Sequence, residues 1–453
     1  MQSTEQSMTD NILLITVDSL RADHVGCYGY GRETTPYLDT LATDSHLFEN
    51  TFAHACSTRP SFPSILTSTY SRMYGGFEEI QSDRTLVSEP LSTAGYRTAG
   101  FHSNPYLSSD FGYDKGWDRF FENHETESLL TKFRGYARDK LDDDGLLYKT
   151  LKKLYDGTER QTGIEVGSIY VKADDLTDQA VAWSDKVADG DNPRFLWTHY
   201  MDVHHPYVPP TEHQLAFRDE PIPDRQSIKL RRKMLERPEE ITDAELADII
   251  DLYDAEIRFV DTEIRRLVEH IREVWGKTTV LFTADHGEEF RDHGRFSHYG
   301  TFYDEVVHVP LIFDNNSESG QRHEEMVGLL DISPTVLDCA GVDKPRSYLG
   351  HSINRIVNDE PWPRTEVSSF RYCRTPNWKF IRDRSADSGA LYDLTADPCE
   401  TTSVADDHPE TLTELQASIA EVRELTKSSE RKTDNVEVDE DIQNRLQALG
   451  YTE

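Results

Sequence analysis

The chain has 453 residues and a net charge of −35, from 83 acidic and 48 basic residues. That charge argues against binding to nucleic acid or to an anionic membrane. A hydrophobic content of 36% excludes wholesale disorder. No stretch approaches the ~18 apolar residues of a membrane span, and the first ten residues carry no basic-then-apolar leader, so we expect a cytoplasmic protein.

The acidic residues are spread along the whole chain, and arginine outnumbers lysine. This combination predicts a halophilic protein that stays soluble in high salt; an ordinary acidic cytosolic enzyme is the alternative. The five cysteines are odd in number and form no CxxC pair, which argues against a disulfide framework and a structural zinc site.

The apolar runs predict strands that alternate with helices. Because several runs are apolar on both faces, they indicate buried parallel strands in an α/β fold. The predicted strands are Asn11–Val17, Arg97–His102, Arg194–Met201, Thr278–Thr283 and Val306–Phe313. Between the third and the fourth, Thr242–Trp275 has apolar residues at helical spacing and predicts a long amphipathic helix.

The remaining segments suggest a division into two domains. Residues 122–192 are polar and irregular, which we interpret as an insertion or lid, and the proline-rich, charged residues 206–240 as a second lid. After Pro345 the pattern changes to short strands and turns. We therefore predict a catalytic domain over 1–341 and a small α+β domain over 342–453.

Polar residues follow three of the predicted strands. Asp18 ends the first, His204 follows the third, and Asp285 with His286 follows the fourth. Since open α/β sheets bind ligands at the carboxyl ends of their strands, these side chains are candidates for one shared site. Oxygen and imidazole ligands suit Mn²⁺, Zn²⁺, Mg²⁺ or Ca²⁺. The alternatives are a helix-capping Asp18 and a solvated charged loop.

The segment CSTRPSFPSILTSTY is rich in hydroxyl groups and predicts a turn that leads into the N-terminus of a helix. Helix N-termini favour the binding of an anionic group. Thr58 in this segment becomes a nucleophile if a metal lowers its pKa, although a run of capping residues gives the same pattern. His204, held before proline in MDVHHPYVPP, is a candidate to protonate a leaving oxygen.

In chain order, several motifs resemble the sulfatase family of the alkaline-phosphatase-like superfamily. They are ILLITVDSLRADHVGCYGYGRETTPYLDTLA, PSFPSILTSTY, HHPYVPP, TADHGEEFRDHG, YDEVVHVPLIF and ALYDLTADPCE. The resemblance implies an alkaline-phosphatase-like, mostly parallel sheet between helices, with a smaller C-terminal α+β domain. It also implies hydrolysis or transfer at a sulfate or phosphate ester, with one divalent metal ion of unspecified identity.

Carried over to this sequence, the resemblance implies a role for each candidate residue. The family's metal ligands match Asp18, Asp285 and His286. Its nucleophile matches Thr58, and the acid that protonates the leaving oxygen matches His204. For substrate binding, the candidates are Asn104, His298 and Arg59, and Ser61 is the reserve nucleophile.

The sequence also departs from the family pattern. The usual Cys-x-Pro-x-Arg, whose cysteine becomes formylglycine, is replaced by Thr58-Arg59-Pro60-Ser61-Phe62, so we expect no formylglycine. Ser19 stands where the second aspartate of the opening pair is usual. We therefore expect a sulfate-ester hydrolase that uses a threonine hydroxyl. One alternative is a phosphodiester or phosphonate hydrolase or transferase. Another is a catalytically silent relative that binds sulfated or phosphorylated glycans. The expected partner is a small anionic ester or such a glycan, and the oligomeric state stays open.

Overall fold

The computed structural model describes residues 11–77, 79–122, 170–298, 300–317, 320–384 and 388–428. These ranges leave out Met1–Asp10, residues 123–169 of the predicted insertion, and residues 429–453, which include the sequence RLQALGY. Among the described residues, no helix has the length and apolar character needed to span a membrane.

The strands form one large sheet, a small C-terminal sheet and a short hairpin. In chain order they are β1 Asn11–Val17, β2 His46–Phe52, β3 Arg97–Phe101, β4 Arg119–Phe121, β5 Arg194–Tyr200, β6 Thr278–Ala284, β7 Glu289–Phe290, β8 Phe296–Ser297, β9 Leu311–Asp314, β10 Gln321–Gly328, β11 Val367–Ser368, β12 Tyr372–Arg374, β13 Trp378–Arg382 and β14 Gly389–Asp393.

The large sheet has eight strands in the order β10-β2-β9-β6-β1-β5-β3-β4. All its pairings are parallel except those of β9, which runs antiparallel to β6 and β2. All seven residues of β1 are buried, and so are those of β5 and β6. A strand that is buried on both faces needs cover on both faces, as parallel sheets do. The predicted mostly parallel α/β sheet is confirmed.

The α-helices of the described residues are α1 Pro36–Thr43, α2 Thr58–Thr67, α3 Ser88–Thr93, α4 Ala173–Lys186, α5 Thr211–Gln214, α6 Asp224–Glu236, α7 Asp243–Trp275, α8 Asp304–Val307, α9 Ile332–Cys339, α10 Asn354–Val357 and α11 Pro409–Ser428. The predicted long amphipathic helix is α7. Thr242 caps it through a capping box with Glu245, which explains why the helix begins where it does. Its apolar face joins the core that contains β1, β5 and β6.

A four-stranded antiparallel sheet, β11 to β14, forms the smaller C-terminal unit with α11. Its own core consists of Cys373, Phe380, Leu391, Leu415 and Ile419. The predicted presence of a small C-terminal α+β domain is confirmed. The division at residue 342 stays a prediction; Tyr348 and Ile353, beyond it, pack into the core of the large sheet.

Two local predictions are wrong. The predicted strand Val306–Phe313 is a strand only over Leu311–Asp314, because Val306 and Val307 end helix α8 and Pro310 has no N–H for a ladder. Within the segment predicted to be irregular, Ala173–Lys186 is a regular helix, α4. It packs on α7, with Trp183 and Trp275 in an edge-to-face contact at 5.8 Å.

Candidate active site

The candidate residues come together at the carboxyl ends of four neighbouring parallel strands. Asp18 follows β1, Asn104 follows β3, His204 follows β5 and Asp285 follows β6. The main chain holds these ends in register, since the N–H of Asp18 donates to the carbonyl of Tyr200 at 2.9 Å. Parallel strands place these residues on one edge of the sheet, as the sequence predicted.

Thr58 is the first residue of α2, and its side chain is fully buried in this edge. Its hydroxyl donates to Asp18 Oδ2 at 3.1 Å and lies 3.3 Å from His286 Nε2. The hydroxyl therefore touches two of the predicted metal ligands, in the position that a metal-activated nucleophile requires.

Asp18 and Asp285 form the centre of a possible cation site. Their ligand atoms and one of His199 lie within 4.8 Å of one another. His286 Nε2 is 3.7 Å from Asp18 Oδ1 and 3.5 Å from Asp285 Oδ2. Asp285 Oδ2 is buried and accepts no hydrogen bond from any described residue, which is rare for a buried carboxylate oxygen. These residues fit a divalent cation bound by oxygen and imidazole ligands.

A main-chain contact orients His286 for such a role. Its Nδ1 lies 2.8 Å from the carbonyl of Gly287, which can only accept, so Nδ1 carries the proton. Nε2 is then left with its lone pair towards Asp18, Asp285 and Thr58. Metal-binding histidines are commonly fixed in this way by a hydrogen bond from the other ring nitrogen.

The two buried carboxylates have opposite pKa shifts. Burial and the charge of Asp18 raise the pKa of Asp285 well above its usual value. Burial would also raise the pKa of Asp18, but His204, His199 and His286 outweigh it and hold that pKa well below its usual value. A buried pair that shares one negative charge in this way is the environment in which a cation is favourable.

His204 lies in a cluster of imidazoles beside the carboxylates. Its ring centroid is 4.3 Å from that of His205 and 5.4 Å from that of His298, and His298 is 4.3 Å from His286. Burial lowers the pKa of His204 to about 4, although Asp18 opposes this shift. The His204 Nδ1 contacts the carbonyl of His205 at 2.7 Å, so Nε2 is the nitrogen that exchanges protons.

Glu288 extends the cluster. Glu288 Oε1 lies 3.3 Å from His298 Nδ1, and Glu288 Oε2 accepts a hydrogen bond from the hydroxyl of Tyr207 at 3.2 Å. Burial raises the pKa of Glu288 to about 7. The predicted substrate-binding residue His298 is therefore within contact distance of a carboxyl group that titrates near neutrality.

The other three predicted residues have different surroundings. The Asn104 amide donates to Asp18 Oδ2 at 3.4 Å, inside the carboxylate cluster. The Arg59 guanidinium lies over the rings of Tyr106, Phe111 and Phe77, at 4.7, 5.1 and 5.7 Å. The Ser61 hydroxyl donates to the main-chain carbonyl of Asp285 at 2.6 Å and so holds the segment that follows β6. Their proposed roles in binding and catalysis stay predictions.

The sequence prediction missed His199. It lies within β5, and its Nε2 is 3.5 Å from Asp18 Oδ2, while Nδ1 is 3.0 Å from the hydroxyl of Thr16. Phe62 packs edge-to-face on its ring at 4.8 Å. The sequence did contain a signal for His199: an imidazole in a strand that is apolar and buried on both faces needs a polar partner.

Ser19 also contacts the candidate site. It has a left-handed backbone conformation (φ 58°), and its hydroxyl donates to Asp18 Oδ1 at 2.8 Å.

Comparison with known proteins assigns the chain to a family. The sulfatase family model matches residues 10–342, and the model for the C-terminal part of N-sulphoglucosamine sulphohydrolase matches residues 291–428. The arylsulfatase of Clostridium perfringens is 27% identical over 94% of this chain and 96% of its own length. Human iduronate 2-sulfatase is 26% identical over 87% of this chain and 84% of its own.

Solved structures share the fold. A phosphonate monoester hydrolase of Agrobacterium radiobacter matches with a TM-score of 0.69 at 20% identity, over 92% of this chain and 96% of its own. A protein in complex with its substrate D-glucosamine-2-N,6-O-disulfate matches with a TM-score of 0.70 at 18% identity, over 95% of this chain and 100% of its own. The chain therefore belongs to the sulfatase family and is a sulfatase-like ester hydrolase.

Proposed function

We propose that this chain is a metal-dependent hydrolase of sulfate esters in which the unmodified hydroxyl of Thr58 is the nucleophile. The observation that carries the proposal is the placement of this hydroxyl, 3.1 Å from Asp18 Oδ2 and 3.3 Å from His286 Nε2, in the buried edge of the sheet. A structural capping threonine needs no such contacts, because its partner is the main chain of its own helix.

Asp18, Asp285 and His286 would hold the divalent cation, with His199 beside Asp18. When bound, the cation supplies Lewis acidity that lowers the pKa of the Thr58 hydroxyl and offsets charge on the substrate. Asn104 orients Asp18 through its amide, and Ser61 fixes the main chain at Asp285. The residues thus hold the nucleophile and its ligands rigidly before substrate enters.

In the first step the Thr58 oxygen forms a bond to sulfur, and the bond from sulfur to the alcohol oxygen breaks. The hydroxyl proton passes to solvent as this bond forms, and Asp18 Oδ2, which accepts the hydrogen bond of Thr58, orients the hydroxyl. The departing alkoxide takes a proton from His204 Nε2. Because the pKa of His204 is about 4 in the free site, this role requires the bound anion to raise that pKa.

In the second step water attacks the sulfur of the sulfated threonine. His204, now neutral, accepts a proton from that water, and the Thr58 oxygen takes up a proton from solvent as sulfate departs. The step restores the enzyme and releases one alcohol and one sulfate for each water consumed. Asn104 and His298 would bind the non-bridging oxygens, where negative charge develops.

Hydrolysis of a phosphate diester or phosphonate ester is the second candidate, because Thr58 has a single hydroxyl. A formylglycine hydrate has a second hydroxyl that can expel sulfate from the covalent intermediate, and threonine has none. In-line displacement of a phosphothreonine by water has no such need. The fold shared with phosphonate monoester hydrolases supports this candidate.

For the substrate we propose a small anionic ester or a sulfated glycan. Two structures of the same fold are complexes with sugars, one with D-glucosamine-2-N,6-O-disulfate and the other with k-i-k-neocarrahexaose. We also propose a cytoplasmic location and a high-salt medium, in which the charge of −35 is screened. A protein that stays folded and fully active in dilute buffer would contradict the high-salt proposal.

The deciding experiment compares matched substrates on metal-stripped protein that is refilled with Mn²⁺, Zn²⁺, Mg²⁺ or Ca²⁺ in high salt. The substrates are an aryl sulfate, an aryl phosphate, a bis-aryl phosphate and an aryl phosphonate ester. We expect metal-dependent turnover of the sulfate. Turnover of the phosphorus esters alone would establish the second candidate. A metal-loaded protein that turns over none of them, but binds a sulfated glycan, would show a silent binding relative instead.

A further inference from the structure

A second group of potential ligands lies between the β7–β8 hairpin and helix α8, apart from the proposed catalytic cation. Glu289, His293 and Glu305 each offer one ligand atom, and these atoms lie within 4.8 Å of one another. We propose that this group is a second divalent-cation site, which ties the hairpin to α8 and to the C-terminal domain. This inference does not depend on the proposed reaction.

The backbone brings the two glutamates together. The N–H of Gly287 donates to the carbonyl of Val306 at 2.7 Å, and that of Glu288 to the carbonyl of Glu305 at 3.1 Å. Residues 287–289 therefore run alongside 305–306. A side chain at position 287 would collide with this neighbour, because a Cβ there would lie 2.1 Å from the Glu305 carbonyl oxygen.

His293 is held by contacts at both ring nitrogens. Its Nε2 lies 3.1 and 3.2 Å from the main-chain carbonyls of Cys399 and Glu400, which can only accept hydrogen bonds, so Nε2 carries a proton. Nδ1 lies 2.5 Å from Glu305 Oε1, a distance at which the two atoms share a proton that a bound cation would displace. The ring stacks on Tyr303 with centroids 3.5 Å apart and planes 4° from parallel, which fixes its orientation. Metal-binding imidazoles commonly have this second-nitrogen contact to a carbonyl.

Glu289 supplies the independent observation that points to a ligand. Its side chain is fully buried, and Oε1 accepts the main-chain N–H groups of His293 at 3.2 Å and Arg295 at 2.9 Å. Oε2 is buried, and no group among the described residues forms a hydrogen bond with it. Over the described ranges, Glu305 pairs with His293, and no lysine or arginine forms an ion pair with Glu289 or Glu305. One buried and one partly buried carboxylate thus face one imidazole, and a cation would complete the charge balance.

The donor chemistry favours Zn²⁺ or Mn²⁺, because one imidazole nitrogen accompanies two carboxylates. The position suggests what the ion does. The hairpin runs directly into His298, and His293 reaches the 399–400 segment of the C-terminal domain. A cation here would hold the segment that carries His298 against helix α8 on one side and against the C-terminal domain on the other. The competing arrangement is a doubly protonated His293, which needs no metal.

The experiment counts bound metal on the full-length protein. Metal-stripped protein is dialysed against Zn²⁺ and, separately, Mn²⁺, and bound metal is measured by elemental analysis. We expect two equivalents for the wild type and one for Asp18→Asn, which lacks a ligand of the first site. We also expect one equivalent for His293→Ala and for Glu289→Gln, and none when either is combined with Asp18→Asn. His270→Ala is the control, because His270 contacts the carboxylate of Asp185 at 2.9 Å without a third ligand.

A second readout is the melting temperature. Added Zn²⁺ should raise the melting temperature of Asp18→Asn but leave that of the double variants unchanged. If His293→Ala and Glu289→Gln fail to fold, the Asp18→Asn protein alone decides the matter. One equivalent retained by it supports the second site. No metal bound to Asp18→Asn, or two equivalents bound to a folded His293→Ala, would overturn the proposal and leave His293 as a protonated clamp.

Discussion

Replacement of Thr58 tests the proposed chemistry most directly. The side chain is fully buried, and its hydroxyl contacts Asp18 and His286. Thr58→Ala removes the nucleophile and leaves the ligands in place. We expect kcat to fall by roughly 10³–10⁶-fold, the range typical of the loss of a catalytic nucleophile. The free energy of unfolding should fall by about 2 kcal/mol, from the loss of one hydrogen bond and one buried methyl group.

Thr58→Ser keeps the hydroxyl and loses one buried methyl group. The lost methyl should lower the free energy of unfolding by about 1 kcal/mol. Serine has three staggered χ1 positions, and threonine is more restricted. If only one of the three χ1 positions directs the serine hydroxyl as Thr58 does, about a third of the molecules are competent, so kcat should fall by only about threefold. The two variants therefore differ by at least about two orders of magnitude in kcat while their stabilities are similar.

The assay is steady-state turnover of the best substrate with saturating metal, followed by mass spectrometry of the peptide that contains residue 58 after an acid quench. The wild type and Thr58→Ser should show an esterified residue 58, and Thr58→Ala none. Ser61→Ala is the matched control, since Ser61 lies on the same helix and donates to the Asp285 carbonyl. Turnover of Thr58→Ala within tenfold of the wild type, or an ester on Ser61, would refute the assignment.

Three further changes test the surroundings of the site. His199→Gln should weaken metal binding by about 10–100-fold, measured by equilibrium dialysis, because His199 contacts Asp18 at 3.5 Å. Lys379→Met should lower the free energy of unfolding by about 3–5 kcal/mol in denaturant titration, since it removes the cation paired with the buried Glu400, while Asp304 keeps its contact with Arg374. Asp202→Asn should raise that free energy at pH 8 by about 1–3 kcal/mol, because burial raises the pKa of Asp202 to about 7.

The sign for Asp202 follows from proton linkage. The folded state holds this proton more tightly than the unfolded state, whose pKa is near 3.8. Its contribution to stability is therefore full below that value and is lost as the pH rises to about 7. Asp202→Asn should flatten the pH dependence between these values. A slope equal to that of the wild type would contradict this reasoning.

Each of these variants has a matched control in the same protein. For His199→Gln it is His323→Gln, which alters a buried histidine of β10. For Lys379→Met it is Lys229→Met, an exposed lysine of α6, and for Asp202→Asn it is Asp175→Asn, an exposed aspartate of α4. Unchanged metal affinity in His199→Gln, or a loss in Lys379→Met no larger than in Lys229→Met, would show that those contacts are energetically minor.

The centre of the fold was predictable because its strands are apolar on both faces. Strands β1, β5 and β6 and helix α7 came directly from apolar runs and helical spacing. Strands β2 and β10 were missed. β10, QRHEEMVG, lies at the edge of the sheet and has four exposed residues among its first five, and HLFENTF of β2 has polar residues in its middle. Such strands are defined by their partners and not by local composition.

The site was predictable as far as its residues follow strands. Asp18, His204 and Asp285 were found because polar residues directly after buried strands stand out. His199 was missed because it lies inside β5, where its neighbours suggest only burial. The aromatic surroundings of Arg59 were also not predictable, since Phe77, Tyr106 and Phe111 approach it from other segments of the chain.

The order of strands in the large sheet has a consequence for biosynthesis. β1 leaves the ribosome early, but its two neighbours are β5 and β6, whose last residues are Tyr200 and Ala284. At about 5–20 residues per second, the second neighbour follows after roughly 13–50 s. During that interval the apolar segment NILLITV has no native partner on one side, which favours chaperone binding. Asp18 and Asp285 meet only when this long-range pairing forms, so catalytic competence arises late in folding.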